Sequence, residues 1–310
     1  VPAAPRPGEA GADLRSGVLV VDKPPGPTSH DCVAVVRRRF RGSKVGHTGT
    51  LDPFATGVLP IVIGRATRLA QYLTGADKEY DALIRLGSAT DTHDSTGTVV
   101  FEAPDGFPLP GIEAVAAVLD RYRGTWMQTP PAYSAKLAGG VRAYDHARRG
   151  EAVALSPVEV TVSELELLSM SGPLVRVRLV SSAGFYVRAL AHDIGVKLGT
   201  GAVLESLRRL RSGRFGLADA VTLDVVTQSD PWLRMLPLES LLPDWPAVGL
   251  THDGVERVSH GGDAGPAQCT DWRPGLPEGC MVRILGPDGR LVAVGRAGPE
   301  GVLHPSAVLM

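Results

Sequence analysis

Asp52 is the residue of this chain best suited to do chemistry, because of the string around it. Gly46-His47-Thr48-Gly49-Thr50-Leu51-Asp52-Pro53-Phe54-Ala55-Thr56-Gly57 holds three glycines, three threonines and a proline. Such a composition makes a poor helix and a poor strand, and predicts an ordered loop. Pro53 fixes its own φ and pushes Asp52 towards extended backbone, so the carboxylate is aimed rather than free. An aimed carboxylate can act as a nucleophile or stabilise positive charge building on a sugar. The same pattern also suits a plain turn residue, since Asp before Pro is common where chains reverse.

Apolar runs must position that loop, Val33 to Phe40 before it and Val58 to Ile63 after it. Gly17 to Asp22 predicts a strand, Lys23 to Pro27 a turn, and Thr28 and Ser29 N-cap a helix with Val33, Val36 and Phe40 at helical spacing. Val58 to Ile63 predicts a buried strand and Ala66 to Leu73 a helix. Tyr80 to Leu86 alternates, with Tyr80, Ala82, Ile84 and Leu86 on one face. Tyr80 on such a strand suits either core packing or a stacking platform. Ile112 to Leu119 predicts a further helix. Val158–Leu168 and Leu174–Val180 read as paired strands. The helix after Phe185 carries Val187, Leu190, Ala191, Ile194 and Leu198 as one apolar stripe. Val282 and Ile284, then Pro287 to Arg290, then Val292 and Val294 predict a hairpin.

Composition narrows the class. The chain has 310 residues, 44% hydrophobic and 21% charged, which suits a soluble globular protein of about two domains. No apolar run is long enough for a membrane-spanning helix. Residues 1–16, rich in Ala, Pro and Gly, read as a disordered tail without a signal-peptide core. Cys32, Cys269 and Cys280 are too few and scattered for a disulfide framework or zinc site, which favours the cytoplasm. Asp91-Thr92-His93-Asp94-Ser95-Thr96-Gly97 lacks calcium-loop spacing, and no metal is expected there. A net charge of −1 makes any nucleic-acid site a matter of local clusters. Two are visible: Arg37-Arg38-Arg39 with Arg41 and Lys44, and Arg208-Arg209 with Arg211 and Arg214. Either can be a solvated face, but their placement just before the Asp52 loop and near the end of the core favours phosphate contact.

The loop string resembles the catalytic loop of the TruB family of RNA pseudouridine synthases, GHTGTLDP followed by Ala-Thr-Gly. Further motifs follow in the family's order from about Gly17 to Arg214: KPxGxTS at Lys23 to Ser29, KxY at Tyr80, RLGxxTDTxDxxG ending at Gly97, and GxYxR at Gly184 to Arg188. The resemblance implies an α+β, mixed α/β catalytic domain around a mostly antiparallel sheet over residues 17–244. It carries a thumb-like insertion at about 128–150, including Arg142, Tyr144, Arg148 and Arg149. A small β-rich PUA-like domain is expected at 245–310, after a linker at Leu242 to Pro246, either RNA-binding or a structural appendage.

The resemblance also implies the reaction. The glycosidic N–C bond of uridine breaks, the uracil rotates, and it rejoins through C5, without cofactor or metal. Asp52 falls on the catalytic aspartate, attacking either the sugar C1′ or the base C6. Tyr80 falls on the tyrosine that stacks on the flipped uracil and handles the C5 proton. Arg188 falls on the partner of the aspartate; a partly buried carboxylate needs such a positive neighbour to stay ionised and in place. Tyr186 and Leu207 would line the pocket, His47 would sit at its mouth, and the KPxGxTS segment would pack beneath it. The implied substrate is the T-arm of tRNA, modified at position 55 of the T-loop by a monomer. Two other readings stay open. One is a guide-RNA-dependent synthase, a branch that lacks the thumb-like insertion; the other is an RNA-folding module whose output needs no catalysis.

Overall fold

A computed structural model describes residues 16–310 except 135, 139–140, 144–145, 147–148, 150, 152–154 and 273–274. The stretch read as a tail, apart from Ser16, therefore lies outside the described residues. So do Tyr144 and Arg148 of the thumb-like region.

A mixed sheet organises the chain. Its strands are β1 (Gly17–Lys23), β2 (Val45–His47), β3 (Thr56–Ile63), β4 (Lys78–Leu86), β7 (Gly124–Gln128), β10 (Val158–Ser171), β11 (Leu174–Ser181), β12 (Ala202–Ser212), β13 (Phe215–Gly216), β14 (Val221–Thr222) and β15 (Leu236–Pro237). Two separate ribbons interrupt the series, β5 (Ser88–Thr90) with β6 (Val99–Glu102) and β8 (Leu137–Ala138) with β9 (Val141–Arg142). The order across the sheet is β14-β1-β3-β12-β4-β11-β10-β7, with β13, β15 and β2 on the flanks of β12, β1 and β3. Pairing is antiparallel except at β1–β14 and β3–β12. The mostly antiparallel sheet expected from the sequence is present.

Strand composition explains the layering. β1 and β3 are almost wholly buried, and their apolar runs cover both faces of the sheet. On one face Leu19, Val21, Leu59 and Ile61 join Tyr80, Ala82 and Ile84, with the helices α1 (Ser29–Arg39), α3 (Ile112–Asp120) and α4 (Val187–Leu198) above them. On the other face Val18, Val20, Val58 and Val62 meet Leu69 and Leu73. Thr28 N-caps α1 in a capping box with Asp31. The single helix expected over Ala66–Leu73 is instead a 3-10 turn, Gly64–Leu69, followed by α2 (Ala70–Thr74). The Thr67 hydroxyl donates to the Gly64 carbonyl at 2.7 Å and holds that tighter turn.

The C-terminal part forms a four-stranded sheet, β16 (Ala247–Gly249), β17 (Met281–Leu285), β18 (Leu291–Ala297) and β19 (Leu303–Val308), with one helix, His252–Ser259. The expected hairpin is β17–β18. Leu291, Val294 and Leu309 pack into the same apolar cluster as Val18 and Val58. The Leu242–Pro246 segment is part of that seam, since Leu242 is buried and Trp245 packs edge-on against Tyr72.

The arrangement that matters for chemistry is the central run β3-β12-β4-β11. The Asp52 loop feeds into β3 at its short parallel seam with β12, where Arg209 lies beside Gly57. Gly57 has φ +101°, and a Cβ there would overlap the backbone of Arg209. Strain and overlap act together at this position. Gly57→Ala should lower unfolding stability by about 2 kcal/mol or more in urea titrations.

Candidate active site

Asp52 sits where the loop emerges between β2 and β3, and Arg188 sits in the first turn of α4. The two meet as a bidentate pair. Arg188 Nε donates to Asp52 Oδ2 at 2.8 Å and Nη2 donates to Oδ1 at 3.1 Å. The Arg188 side chain is 6% exposed, whereas that of Asp52 is 34% exposed. The guanidinium is thus the buried anchor and the carboxylate the accessible end. Two carbonyls take further N–H groups of Arg188: Thr92 at 2.9 Å and Tyr133 at 2.8 Å. A second carboxylate, that of Asp94, lies 3.7 Å from Nε.

Asp94 organises the turn over Thr92–Gly97. Its Oδ1 accepts from the hydroxyls of Thr92 (2.9 Å) and Thr96 (2.6 Å) and from the Thr96 amide (3.0 Å). The turn so formed presents the Thr92 carbonyl to Arg188. His93, at φ +63°, stacks on His192 of α4 with centroids 4.0 Å apart. Sequence reasoning missed this support, because Asp, Thr and His at such spacing look alike whether they hold a metal or one another. Among the described residues, no three His, Cys, Asp or Glu side chains cluster to hold a metal ion.

The loop itself has no sheet ladder over Thr50–Ala55. Buried side chains take its carbonyls instead. Lys23, fully buried, donates to the carbonyls of Pro24 (3.0 Å), Pro53 (2.9 Å) and Ala55 (2.7 Å). All three ammonium protons are therefore satisfied, two of them by residues flanking Asp52. Burial pushes the Lys23 pKa down, and the nearby negative charge of Asp52 opposes that shift. Ser29 Oγ accepts from the Leu51 amide at 2.8 Å and donates to the Leu51 carbonyl at 3.1 Å. The KPxGxTS segment thus lies beneath the loop and bonds it directly.

Tyr80 lies on β4 and is 8% exposed, within the main apolar cluster. Its cross-strand partner on β12 is Arg209. Leu207, two residues earlier on β12, is 7% exposed and packs in the same cluster. Tyr186 precedes α4, and the Gln128 side-chain amide clasps its backbone, accepting from its N–H at 2.8 Å and donating to its carbonyl at 3.0 Å. Burial, above all, pushes the Tyr186 phenol pKa up. His47, on β2, meets His30 edge-on at 5.3 Å and accepts from the Gly49 amide through Nδ1 at 3.3 Å.

The two arginine clusters part company. Arg37, Arg38, Arg39, Arg41 and Lys44 are all exposed. Arg37, Lys44, His47 and Thr67 line an open cavity of about 470 Å³ beside the loop. Arg39 is turned to the Val226 and Ser229 carbonyls. The second cluster is not a basic patch. Strand alternation sends Arg209 into the interior at 1% exposure. Arg208 pairs with Asp22 at 2.8 Å, and Arg211 with Asp77 at 2.9 Å and Glu79 at 3.3 Å. Only Arg214 of that group is both exposed and outside these pairs.

Comparison with known proteins fixes the class. The chain is similar over 98% of its length to a solved Cbf5-Nop10-Gar1 complex (TM-score 0.73, 30% identity, 88% of that chain). It is likewise similar to the structure of an H/ACA RNP bound to a substrate RNA containing 2′-deoxyuridine (TM-score 0.72, 28% identity, 96% of this chain, 86% of that one). Residues 37–187 match the TruB family pseudouridylate synthase (N terminal domain), and residues 188–242 match the tRNA pseudouridylate synthase B C-terminal domain. The fold and these matches define a pseudouridine synthase, an isomerase. Relatives described as tRNA pseudouridine synthase B include that of Solibacter usitatus, 42% identical over 94% of this chain and 99% of its own. That of Symbiobacterium thermophilum is 46% identical over 82% of this chain and 84% of its own. The chain belongs to the TruB family.

Two predictions follow from the site's geometry. Lysine at 188 cannot make the bidentate contact and reach both carbonyls. Arg188→Lys should therefore cut pseudouridine formation by about 100-fold in a single-turnover assay, through misplacement of Asp52. The second concerns pH. Burial, chiefly, lowers the His47 and His93 imidazoles to about 4, against 6.5 for the free side chain. Below pH 6.5 the unfolded chain takes up protons that the folded chain refuses, so stability should fall as pH drops towards 4. His47→Gln should flatten part of that loss in urea titrations across this window.

Proposed function

We propose that this protein converts uridine to pseudouridine in tRNA, at position 55 of the T-loop, with Asp52 as the nucleophile. The observation that carries this reading is the bidentate bond from the buried Arg188 to a carboxylate that keeps a third of its surface open. Such a carboxylate is held and aimed, yet a sugar or base can still reach it. Support for tRNA as substrate comes from the relatives named above, which are about 40% identical over most of their length. The guide-dependent assemblies are more distant, at 28% to 30%.

In this account the target uridine leaves its stack, at a cost of a few kcal/mol that pocket contacts offset. Tyr80 stacks on the uracil and handles the C5 proton, while Tyr186 and Leu207 wall the ring. Arg188 keeps Asp52 oriented through bond breaking and rejoining. His47 lies at the mouth. Arg37 and Lys44, exposed on the cavity beside it, suit phosphates of the T-arm. The C-terminal four-stranded sheet is assigned, as a PUA-like unit, to the remaining RNA contacts. The enzyme acts in the cytoplasm as a monomer; among the described residues no helix is long and apolar enough to cross a membrane.

Asp52→Asn keeps the shape and removes the charge. Incubated with an unmodified T-arm transcript and no guide RNA, it should yield no pseudouridine on nucleotide mapping while still retaining the RNA on a filter. Turnover by that variant, with reversion to Asp excluded by mass spectrometry, would contradict the assignment.

A further inference from the structure

The Arg209 guanidinium is buried in the middle of this site, and among the described residues no carboxylate pairs with it. Its Nε donates to the Val58 carbonyl at 2.7 Å, Nη2 to the Gly49 carbonyl at 3.1 Å, and Nη1 reaches the Thr50 carbonyl at 3.5 Å. Tyr80 is its cross-strand neighbour on β4, on the same face of the sheet, and the acidic group whose charge acts on it. One planar cation thus spans β3, the loop two to three residues before Asp52, and the side chain on β4. At 1% exposure it is closed to RNA phosphates.

The surroundings make this charge unusual. Facing Arg209 are Lys23 from β1, His47 from β2 and Lys78 and Tyr80 from β4. Burial lowers the Lys78 ammonium to about 8, and the Arg209 charge adds to that shift. Every group in this set except Tyr80 is a cation or a base. A buried cation with carbonyl partners alone is costly, because carbonyl dipoles replace water only in part. It is stabilised whenever negative charge stands on its acidic neighbour Tyr80.

We propose that Arg209 is a positioning residue of the reaction, fixing the Asp52 loop and Tyr80 to one another and stabilising the Tyr80 phenolate that takes the C5 proton. The proposal rests on Tyr80 being the group that handles this proton. Once uracil has rejoined the sugar through C5, that carbon bears both the sugar and its hydrogen. The phenolate oxygen removes the proton as the C5–H bond breaks. The bonding pair forms C5=C6 and shifts the C6=N1 pair onto N1, which takes a proton from solvent. Atoms and charge balance, and Tyr80 returns its proton to solvent afterwards. The phenolate is the counter-ion of Arg209 until it takes the proton, so a variant without the guanidinium loses the charge that holds Tyr80 in its proton-accepting form.

The test compares T-arm RNA carrying either ordinary or 5-deuterated uridine at the target site. Wild type, Arg209→Lys, Arg209→Met and Tyr80→Phe are measured for kcat, KM and the isotope effect on turnover. Arg209→Met should lower kcat by about 100-fold and enlarge the C5 isotope effect, with KM within about twofold of wild type, because Arg209 touches no RNA. Arg209→Lys should show the same pattern with a smaller fall in kcat, since it keeps a charge without the planar fork. That variant decides the matter if the Met protein does not fold. An Arg209→Lys enzyme whose isotope effect equals that of wild type would overturn the proposal, as would a rise in KM with kcat unchanged. If Tyr80→Phe itself leaves kcat and the isotope effect unaltered, the reading of Tyr80 fails first, and the inference falls with it.

Discussion

The contact between Arg188 and Asp52 constrains the rest of this molecule. Removing an ion pair from water costs several kcal/mol per charge, and the cost is repaid only when geometry and remaining hydrogen bonds are both satisfied. Arg188 meets that condition because three separate segments arrive at it. The Asp52 loop supplies two carboxylate oxygens, the Thr92 turn a carbonyl, and Tyr133 another. Asp94 stands 3.7 Å from the same Nε that holds Asp52. None of these segments is near Arg188 in sequence, so the pair can form only after the central sheet has brought them together. The exposure is divided unevenly, with the arginine buried and the aspartate open, and this leaves a reactive carboxylate whose position is fixed from behind.

The loop that carries Asp52 obeys a related constraint. A segment without a strand ladder must place its carbonyls somewhere, and water is largely excluded beneath it. Lys23 and Arg209 take five carbonyl contacts between them, on Pro24, Pro53, Ala55, Val58 and Gly49, and Arg209 reaches a sixth at Thr50. Cations suit this task because a single ammonium or guanidinium offers several strong donors from one point. The consequence is a preorganised backbone around a carboxylate, held by side chains rather than by regular structure. Catalytic geometry of this kind does not need to form at the moment of reaction.

Much of this was legible in the chain. The Gly-rich string with Asp52 before Pro53 reads as a loop from its composition. The alternation from Tyr80 to Leu86 reads as a half-buried strand, and the stripe from Val187 to Leu198 as a helix. What local pattern could not disclose was the partner of each charge. Arg208, Arg209, Arg211 and Arg214 look like one basic cluster on paper. In the fold, β12 lies between β3 and β4, alternate residues leave it on opposite sides, and a register irregularity between Arg209 and Arg211 breaks that alternation. Arg209 therefore points inward, while Arg208 and Arg211 meet Asp22, Asp77 and Glu79, residues more than 130 positions away in the chain. Lys23 was readable as part of a structural motif, but its three carbonyl acceptors were not, because backbone acceptors leave no trace in residue type. Asp94 was hidden for the same reason, since its role is to shape a turn whose carbonyl Arg188 uses.

The most direct measurement is a structure of this protein with a T-arm RNA whose target residue is 5-fluorouridine, which blocks loss of a proton from C5. The account predicts the target base turned out of its stack and lying against Tyr80. It also predicts a carboxylate oxygen of Asp52 at about 3 to 3.5 Å from the sugar C1′ or the base C6, or bonded to one of them. Arg188 should still hold the other oxygen. A complex in which the base remains stacked in the RNA, or in which Asp52 is turned away from both atoms while another side chain contacts them, would contradict it.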